Sequence, residues 1–168
     1  CEEGRSELWV LFVDLDGFKE VNDLPEHVAG DGVLAEVGRR FGELAEAGNL
    51  VARLGGDEFL VLCERSVDAA GARCGRAAAE RLARRIGEVV SVPVEVAGTT
   101  VHVGASTGIA AWEPGRTPDD LVGAADDAVY RAKRSGRGGW HHAGPDGDAG
   151  RGRTVDDDAD PDAVHLAT

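Results

Sequence analysis

Methionine is absent from the 168-residue sequence, aromatic residues make up only 5% of it, and positive charge is scarce. Because position 1 is not Met, we expect the chain to be part of a longer protein or to have a processed terminus. Eighteen Lys and Arg residues against 31 Asp and Glu residues give a net charge of −13. Since binding to a nucleic-acid backbone requires a basic surface, this balance argues against general nucleic-acid binding. It remains compatible with a small anionic ligand held by local cations and a metal ion.

Long apolar segments and a cysteine framework are also lacking. The longest apolar run, Leu8–Val13, has the length of a strand and is too short to span a bilayer. No basic segment followed by an apolar one marks a signal peptide. The cysteines Cys1, Cys63 and Cys74 include no close pair, which argues against a disulfide framework and a zinc site. We therefore expect a cytoplasmic domain, whose full-length protein could still be tethered to a membrane.

The sequence does contain regular alternation between strand-like and helix-like segments. Apolar or alternating runs predict strands at Glu7–Asp14, Leu50–Leu54, Glu58–Glu64, Val92–Val96 and Thr99–Ala111. Helical spacing predicts helices at Phe18–Asn22, from an N-cap at Asp31 through Leu44, at Ala69–Val90 and at Pro118–Arg134. This order predicts an α+β fold of ferredoxin-like type, an antiparallel sheet flanked by helices. The Asp- and Gly-rich segment Ala143–Thr168 is predicted to be a disordered acidic tail.

Four carboxylates lie where predicted strands end. Asp14 and Asp16 close the first strand, and Asp57 and Glu58 occupy the hairpin between the next two. If the first strand lies beside that hairpin, Asp14 and Asp57 converge, and such carboxylates attract a hard divalent cation such as Mg²⁺. Taken alone, the pair is explained as well by separate solvated acids at strand ends.

The hairpin glycines and the polar residues after the first strand allow two interpretations each. Gly55 and Gly56 could let the backbone approach a phosphate or ribose, or could form an ordinary turn. Lys19 could bind a phosphate as a point charge. Asn22 and Asp31 could contact a base edge, because a carboxylate can accept the N–H groups that distinguish guanine from adenine. Taken singly, each of these three is better explained as a surface or capping residue.

Cations also lie near the end of the last predicted helix. Lys133 and Arg137 could hold phosphates, but cations near a helix C-terminus are favourable without any ligand. His141 and His142 lack the helical i, i+4 spacing of a metal site, and His27 has no identifiable partner. These histidines are therefore interpreted as structural.

Taken together, these segments resemble one family. The stretches Val13–Asp31 (VDLDGFKEVNDLPEHVAGD), Arg53–Phe59 (RLGGDEF), Ala105–Ala110 (ASTGIA) and Ala125–Arg137 (ADDAVYRAKRSGR) resemble the GGDEF family of diguanylate cyclases. The resemblance implies a palm-type fold like that of nucleotide cyclases. It implies condensation of two GTP into cyclic di-GMP, a bacterial second messenger, with release of two pyrophosphates. It further implies an antiparallel homodimer as the active unit and a sensory module upstream of the domain.

The resemblance also suggests a role for each matching position. It implies that Asp14, Asp57 and the Leu15 carbonyl bind Mg²⁺ or Mn²⁺, and that Asp57 and Glu58 are the catalytic acids of the hairpin. For the substrate, it implies that Asn22 and Asp31 bind guanine. It implies that the backbone at Gly55 and Gly56 lies close to the ribose and α-phosphate. It also implies that the β- and γ-phosphates are bound by Lys19, Lys133 and Arg137. The domain would cover residues 1–142, without the family's usual opening segment.

Two further positions depart from the family pattern. Glu26 after Pro25 replaces the usual Gly before a histidine and could reshape the guanine pocket. The family's inhibitory Arg-x-x-Asp sequence is replaced by Glu46–Asn49 (EAGN), so we expect no product inhibition by that route. Two other functions stay open, a GTP-binding regulatory module with weak or no turnover and a palm-type cyclase that uses ATP or makes a mononucleotide.

Overall fold

The protein is described by a computed structural model, which covers residues 6–23, 28–45, 49–66, 75–96, 98–144 and 149–151. These residues form eight strands and four helices. In chain order the elements are β1 (Ser6–Asp16), α1 (Phe18–Asn22), α2 (Val28–Ala45), β2 (Asn49–Gly55), β3 (Glu58–Ser66), α3 (Arg76–Val90), β4 (Val94–Val96), β5 (Thr99–Val101), β6 (Gly104–Ala111), α4 (Pro118–Arg134), β7 (Gly139–His142) and β8 (Ala149–Arg151).

Six of the strands form one sheet in the order β2-β3-β1-β6-β7-β8, and β4 pairs with β5 in a separate hairpin. β1 is antiparallel to both of its neighbours, β3 and β6. The predicted α+β class is confirmed, but the sheet is mixed, because β7 runs parallel to β6. α4 provides the long crossover that joins two parallel neighbours.

The central strand β1 is apolar throughout because both faces of the sheet are covered around it. Successive side chains of a strand point to opposite faces. Leu11 and Val13 pack in the cluster that includes Phe41 of α2 and Ile86 of α3. Val10 and Phe12 pack in a second cluster with α4, through Leu121, Ala125 and Val129. The sheet therefore has α2 and α3 on one face and α4 on the other.

α4 lies unusually close to β6. A Cβ at Gly108 would overlap the carbonyl oxygen of Ala125 and come within 2.7 Å of the Val129 nitrogen. The helix begins with a capping box, in which the Thr117 hydroxyl accepts the Asp120 N–H at 3.1 Å. The predicted helix bounds are confirmed, and these two features fix where the C-terminal end of α4 lies on the sheet.

Several predicted boundaries were wrong. α2 begins at Val28, so Asp31 lies in the first turn of the helix and is not its N-cap, because Ala29 is already buried against the core. α3 begins at Arg76, and residues 69–74 of the predicted helix lie outside the described residues. The predicted strand Thr99–Ala111 is interrupted at residues 102–103, so that β5 pairs with β4 and β6 joins the main sheet.

The C-terminal strands were not predicted. β7 pairs with β6, and β8, inside the predicted acidic tail, pairs with β7 at Ala149–Arg151. Residues 152–168 lie outside the described residues, so disorder of that segment stays a prediction. Within the part of the chain that the structure describes, no helix is both long and apolar enough to cross a bilayer.

Candidate active site

The end of β1 and the β2–β3 hairpin meet at one edge of the sheet. In the sheet register, Asp14 lies opposite Glu58 of β3 and Ser106 of β6. The backbone N–H of Leu15 donates to the backbone carbonyl of Asp57 at 3.2 Å, which fastens the hairpin tip to β1. The prediction that β1 lies beside the hairpin is confirmed, and the charge of Asp57 contributes to a raised pKa of Asp14.

Asp14 is held against the last turn of α4. Its side chain is 15% exposed, and its Oδ1 lies 2.6 Å from the ammonium nitrogen of Lys133. Burial is the main reason that the Asp14 pKa is raised; the charges of Asp57 and Asp16 also raise it, whereas Lys133 lowers it. This edge of the sheet therefore concentrates negative charge next to the ammonium of Lys133.

Asp16 lies on the same face of β1 and is buried, with 9% of the residue exposed. The Ser106 hydroxyl lies 2.9 Å from both of its carboxylate oxygens, and the Gly138 N–H donates to Oδ2 at 3.0 Å. Arg137 Nε is 3.9 Å from Oδ1. Burial raises the pKa of Asp16, and the bonds from Gly138 and Ser106 oppose that rise. Asp16 thus links β1, β6 and the turn after α4.

The sequence predicted Asp14 and the hairpin acids for this edge, but assigned no role to Asp16, Ser106 or Gly138. The period of a strand indicates that Asp14 and Asp16 share a face. The partners of Asp16 could not be found in this way, because Ser106 and Gly138 are 90 and 122 residues distant. Their approach depends on the register of β6 and on the course of α4.

Asn22 and Asp31 lie on adjoining helices. Asn22 ends α1, and a Cβ at Gly30 would lie 2.6 Å from its Oδ1. The Asn22 amide therefore rests against the first turn of α2, one residue before Asp31, and both residues are exposed. Lys19 is exposed on α1, whereas Glu26 and His27 lie outside the described residues.

The tip of the hairpin is open. Gly56 has φ 51°, which favours glycine, and the Arg53 Nε–H donates to its carbonyl at 3.0 Å. Gly55 has no positive φ, and a Cβ at either glycine would meet no atom within 4 Å. Gly55 lies where the pairing of β2 with β3 shifts in register, an irregularity at which glycine is common. The open space at both glycines would also allow a ligand to approach this backbone closely.

Other candidate residues have structural partners. His142 Nε2 lies 3.0 Å from Glu80 Oε1, and its ring packs edge-on against Trp9 and Trp140. His141 Nε2 lies 3.0 Å from the Ser135 hydroxyl. Within the described ranges, no three His, Cys, Asp or Glu side chains converge as a possible metal site. A metal at the edge of β1 would therefore need oxygen ligands from the backbone or the substrate as well.

Asn49 occupies the last position of the segment that replaces the inhibitory sequence. It is buried, and its Nδ2 donates to the Leu44 carbonyl of α2 at 2.9 Å. Its side chain is therefore engaged in closing the α2–β2 connection. Glu46 lies outside the described residues, so the absence of product inhibition stays a prediction.

A mixed sheet with helices on both faces, and with carboxylates where its central strand meets a glycine hairpin, defines a palm-type α+β domain of the nucleotide-cyclase class. The sequence profile described as "Diguanylate cyclase, GGDEF domain" matches residues 1–139. The chain belongs to this GGDEF family. The resemblance inferred from its motifs is therefore confirmed.

Curated relatives and solved structures agree with this assignment. The chain is 44% identical over 138 residues to a signalling protein of Caulobacter vibrioides, matching 82% of this chain and 16% of the relative. It is 43% identical over 141 residues to the diguanylate cyclase TpbB of Pseudomonas aeruginosa, covering 82% of this chain and 31% of that protein. The crystal structure of the GGDEF domain of YfiN or TpbB from P. aeruginosa aligns with a TM-score of 0.73 at 39% identity, covering 83% of this chain and 84% of that one. The chain thus spans less than a third of the length of these two curated relatives.

Proposed function

We propose that this domain is a metal-dependent diguanylate cyclase that condenses two GTP molecules into cyclic di-GMP and releases two pyrophosphates. The observation that carries the proposal is the convergence at one sheet edge of Asp14, the open Gly55–Glu58 hairpin and Lys133. Membership of the GGDEF family supports the same reaction.

The residues at this edge fit a hard divalent cation, Mg²⁺ or Mn²⁺. The carboxylates of Asp14 and Asp57 and the carbonyl of Leu15 would hold it, with the remaining positions left to water and phosphate oxygens. The ion pair of the Lys133 ammonium with Asp14 Oδ1, at 2.6 Å, supports this assignment, because it places a positive charge against the same carboxylate. When bound, the metal would help to activate the attacking 3′-hydroxyl and neutralise charge that develops on the α-phosphate. Glu58, opposite Asp14 in the register, would add negative charge beside it.

The chain's own residues would position the nucleotide. Asn22 and Asp31, on adjoining helix ends, would bind the guanine edge. The Asn22 amide could donate and accept hydrogen bonds, and the Asp31 carboxylate would accept them from guanine N–H groups. The backbone at Gly55 and Gly56 would pass close to the ribose and α-phosphate, because no Cβ occupies that space. Lys19, Lys133 and Arg137 would bind the β- and γ-phosphates as cations. Most of the catalytic effect would then come from orientation and electrostatic stabilisation.

One such site would hold one GTP, whereas the product is made from two. We therefore propose that the active unit is an antiparallel homodimer in which two hairpins face each other. In the longer protein, an upstream sensory module would bring the domains together. The two curated relatives are long enough to contain such a module, because this chain matches only 16% and 31% of their lengths.

The test uses the chain fused to a dimerising coiled coil, incubated with GTP and Mg²⁺, with products identified by mass spectrometry. We expect cyclic di-GMP and pyrophosphate, and we expect Asp57→Asn to lower kcat by about 100-fold or more, as loss of a charge-stabilising group does. Asp126→Asn, an exposed position on α4, is the matched control and should retain activity.

Other outcomes would assign another function. Tight GTP binding without product, unchanged by Asp57→Asn, would contradict the cyclase and indicate a GTP-binding regulatory module. Equal turnover of ATP and GTP would contradict guanine recognition by Asn22 and Asp31. A mononucleotide product would indicate a different palm-type cyclase.

A further inference from the structure

We propose that Asp16 is a positioning residue, which fixes the turn after α4 and thereby places Arg137 for the terminal phosphates of the nucleotide. The inference rests on the proposed function of this site and names a residue to which that function assigns no role. Three observations carry it: the burial of Asp16, its hydrogen-bond partners, and the backbone conformation of the turn.

The Asp16 carboxylate is buried among donors. The Ser106 hydroxyl of β6 is 2.9 Å from both oxygens, and Ser106 is itself fully buried. Gly104 lies opposite Asp16 in the sheet, and a Cβ there would be 3.4 Å from the Asp16 Cβ. A buried carboxylate is costly unless it is hydrogen-bonded, and here a hydroxyl and a backbone N–H face its oxygens, so the site favours an acidic residue at position 16.

The turn that Asp16 holds has a demanding backbone. Gly136, Arg137 and Gly138 have φ values of 111°, 55° and 63°, and Arg137 is the non-glycine residue with positive φ among the described residues. Such a conformation is unfavourable for an L-residue and persists where surrounding contacts fix it. The N–H of Gly138, directly after Arg137, donates to Asp16 Oδ2 at 3.0 Å. This bond is a contact that fixes the turn.

The charge of Asp16 also acts on the Arg137 side chain. The distance of 3.9 Å from Arg137 Nε to Oδ1 is that of an ion pair without a direct hydrogen bond between these two atoms. The arginine side chain is 42% exposed, whereas the Asp16 side chain is 7% exposed. The buried Asp16 carboxylate therefore attracts the guanidinium of the partly exposed Arg137, which lies at the same edge of the sheet as Lys133.

Asp14 and Asp16 consequently have different tasks, although they share a face. Asp14 contacts a cation at the mouth of the site, as a carboxylate that binds a metal would. Asp16 is surrounded by a hydroxyl and a backbone N–H from two other elements. We therefore assign Asp16 to the support of the phosphate-binding cation and exclude it from the metal ligands.

The experiment measures binding by the full 168-residue chain, using calorimetry with a non-hydrolysable GTP analogue and with GMP, and electron paramagnetic resonance for Mn²⁺ without nucleotide. We expect Asp16→Ala to weaken the affinity for the GTP analogue by about tenfold, the effect of one lost charge-assisted hydrogen bond. The affinity for GMP should change less than about twofold, because GMP lacks the terminal phosphates that Arg137 would bind. Binding of Mn²⁺ should persist, with only the modest loss in affinity that removal of a neighbouring negative charge causes.

Arg137→Ala provides the matched comparison. Its effect on the GTP analogue should be similar to that of Asp16→Ala, and the double variant should lose little more, because both changes remove the same positioned cation. Asp16→Asn should be intermediate, since its amide oxygen can still accept the Gly138 N–H. Ser106→Ala, which removes one donor and leaves Asp16 in place, serves if Asp16→Ala does not fold, and should lower the GTP-analogue affinity selectively.

Several results would overturn the proposal. If Asp16→Ala loses affinity for GMP and for the GTP analogue equally, the substitution has damaged the site in general. If Asp16→Ala no longer binds Mn²⁺, Asp16 is a metal ligand. If the losses in the double variant are fully additive, Asp16 does not act through Arg137. If the unmodified chain binds the GTP analogue no better than GMP, the proposed phosphate site itself is wrong, and this inference fails with it. If both the unmodified chain and Asp16→Ala still prefer the GTP analogue to GMP to the same degree, the role of Asp16 is wrong while the phosphate site stands.

Discussion

Gly30 controls the position of Asn22, because a Cβ at residue 30 would lie 2.6 Å from the Asn22 Oδ1. In Gly30→Ala the exposed Asn22 side chain must rotate away, which costs little stability. We expect the affinity for GTP to fall on the order of tenfold, the value of one hydrogen bond to the base, while ATP binding is unaffected. Calorimetric titration with both nucleotides and thermal unfolding of the same samples measure the two effects.

Gly38→Ala is the control for this prediction. Gly38 lies on the same helix, is exposed, and has no atom within 4 Å of a Cβ. It should leave nucleotide binding unchanged and stabilise the domain by about 0.5–1 kcal/mol through helix propensity. Unchanged GTP affinity in Gly30→Ala would contradict the base-binding role of Asn22.

The raised pKa of Asp14 gives the metal-free domain a defined pH dependence. Burial is the main cause, so the folded chain holds the Asp14 proton more tightly than the unfolded chain does. The stability contributed by this proton is complete below the ordinary pKa of 3.8 and is lost as pH rises through the raised value. We therefore expect Asp14→Asn to be more stable than the unmodified chain at about pH 8.

Denaturant unfolding at several pH values, with chelator present, measures this difference. It should shrink as the pH is lowered through the raised pKa of Asp14 towards the ordinary value of 3.8, because Asp14 takes up its proton over that range. Asp127→Asn, an exposed position on α4, should show no such trend. If Asp14→Asn is less stable at every pH, the ion pair with Lys133 outweighs the cost of burial.

At the scale of single residues, the sequence predicted that Asp14 and the hairpin lie at the same edge of the sheet. This was possible because both lie at the ends of predicted strands, and those strands are neighbours in the sheet. Asn22 and Asp31 were also predicted as a pair, although Asp31 was wrongly taken as a cap. Asp16 was passed over because its partners belong to β6 and to the turn after α4. No local pattern encodes contacts across 90 or 122 residues.

At the scale of elements, the close contact between α4 and β6 depends on the absence of a side chain at Gly108. In Gly108→Ala the new Cβ would overlap the Ala125 carbonyl, which is rigid helix backbone, so α4 must move away from the sheet. We expect a loss of about 2–4 kcal/mol in the free energy of unfolding, within the range of severe overpacking. Because Lys133 moves with α4, the affinity for the GTP analogue should fall as well.

Gly123→Ala is the matched change on the solvent side of α4. Gly123 is exposed, and a Cβ there would meet no atom within 4 Å. It should stabilise the domain by about 0.5–1 kcal/mol. Denaturant titrations of both variants provide the comparison, and a Gly108→Ala protein as stable as Gly123→Ala would contradict the close packing of α4.

Elements were predictable where their signals are local. The bounds of α4 follow from the cap at Thr117, Pro118 in the first turn and Gly136 beyond its end. β7 carries no such signal, because four residues with two histidines show neither a long apolar run nor clear alternation. Its place beside β6 is determined by α4, which carries the chain across the sheet.

At the scale of the whole molecule, the net charge of −13 acts on the proposed homodimer. Two copies repel each other, and salt screens that repulsion. For the unfused chain at low concentration, we expect activity per chain to rise with protein concentration. We also expect it to rise when the NaCl concentration is increased from about 0.02 M to about 0.2 M, since the Debye length shrinks several-fold.

The coiled-coil fusion separates this effect from weaker substrate binding in salt. Its activity per chain should be independent of protein concentration, and salt should lower it or leave it unchanged. Initial rates across a dilution series at both salt concentrations provide the measurement. Activity of the unfused chain that is independent of concentration would contradict the need for two facing copies.

The ion pair between Lys133 and Asp14 couples the binding of metal and of phosphate in the proposed site. In the proposed site, a divalent cation bound to Asp14 would release the lysine, and a phosphate bound to Lys133 would free the carboxylate. Because such linkage is reciprocal, each ligand would raise the affinity for the other by the same factor. Either ligand alone would have to break the ion pair, so the domain would bind a metal ion or free phosphate alone more weakly than the complete metal–nucleotide complex.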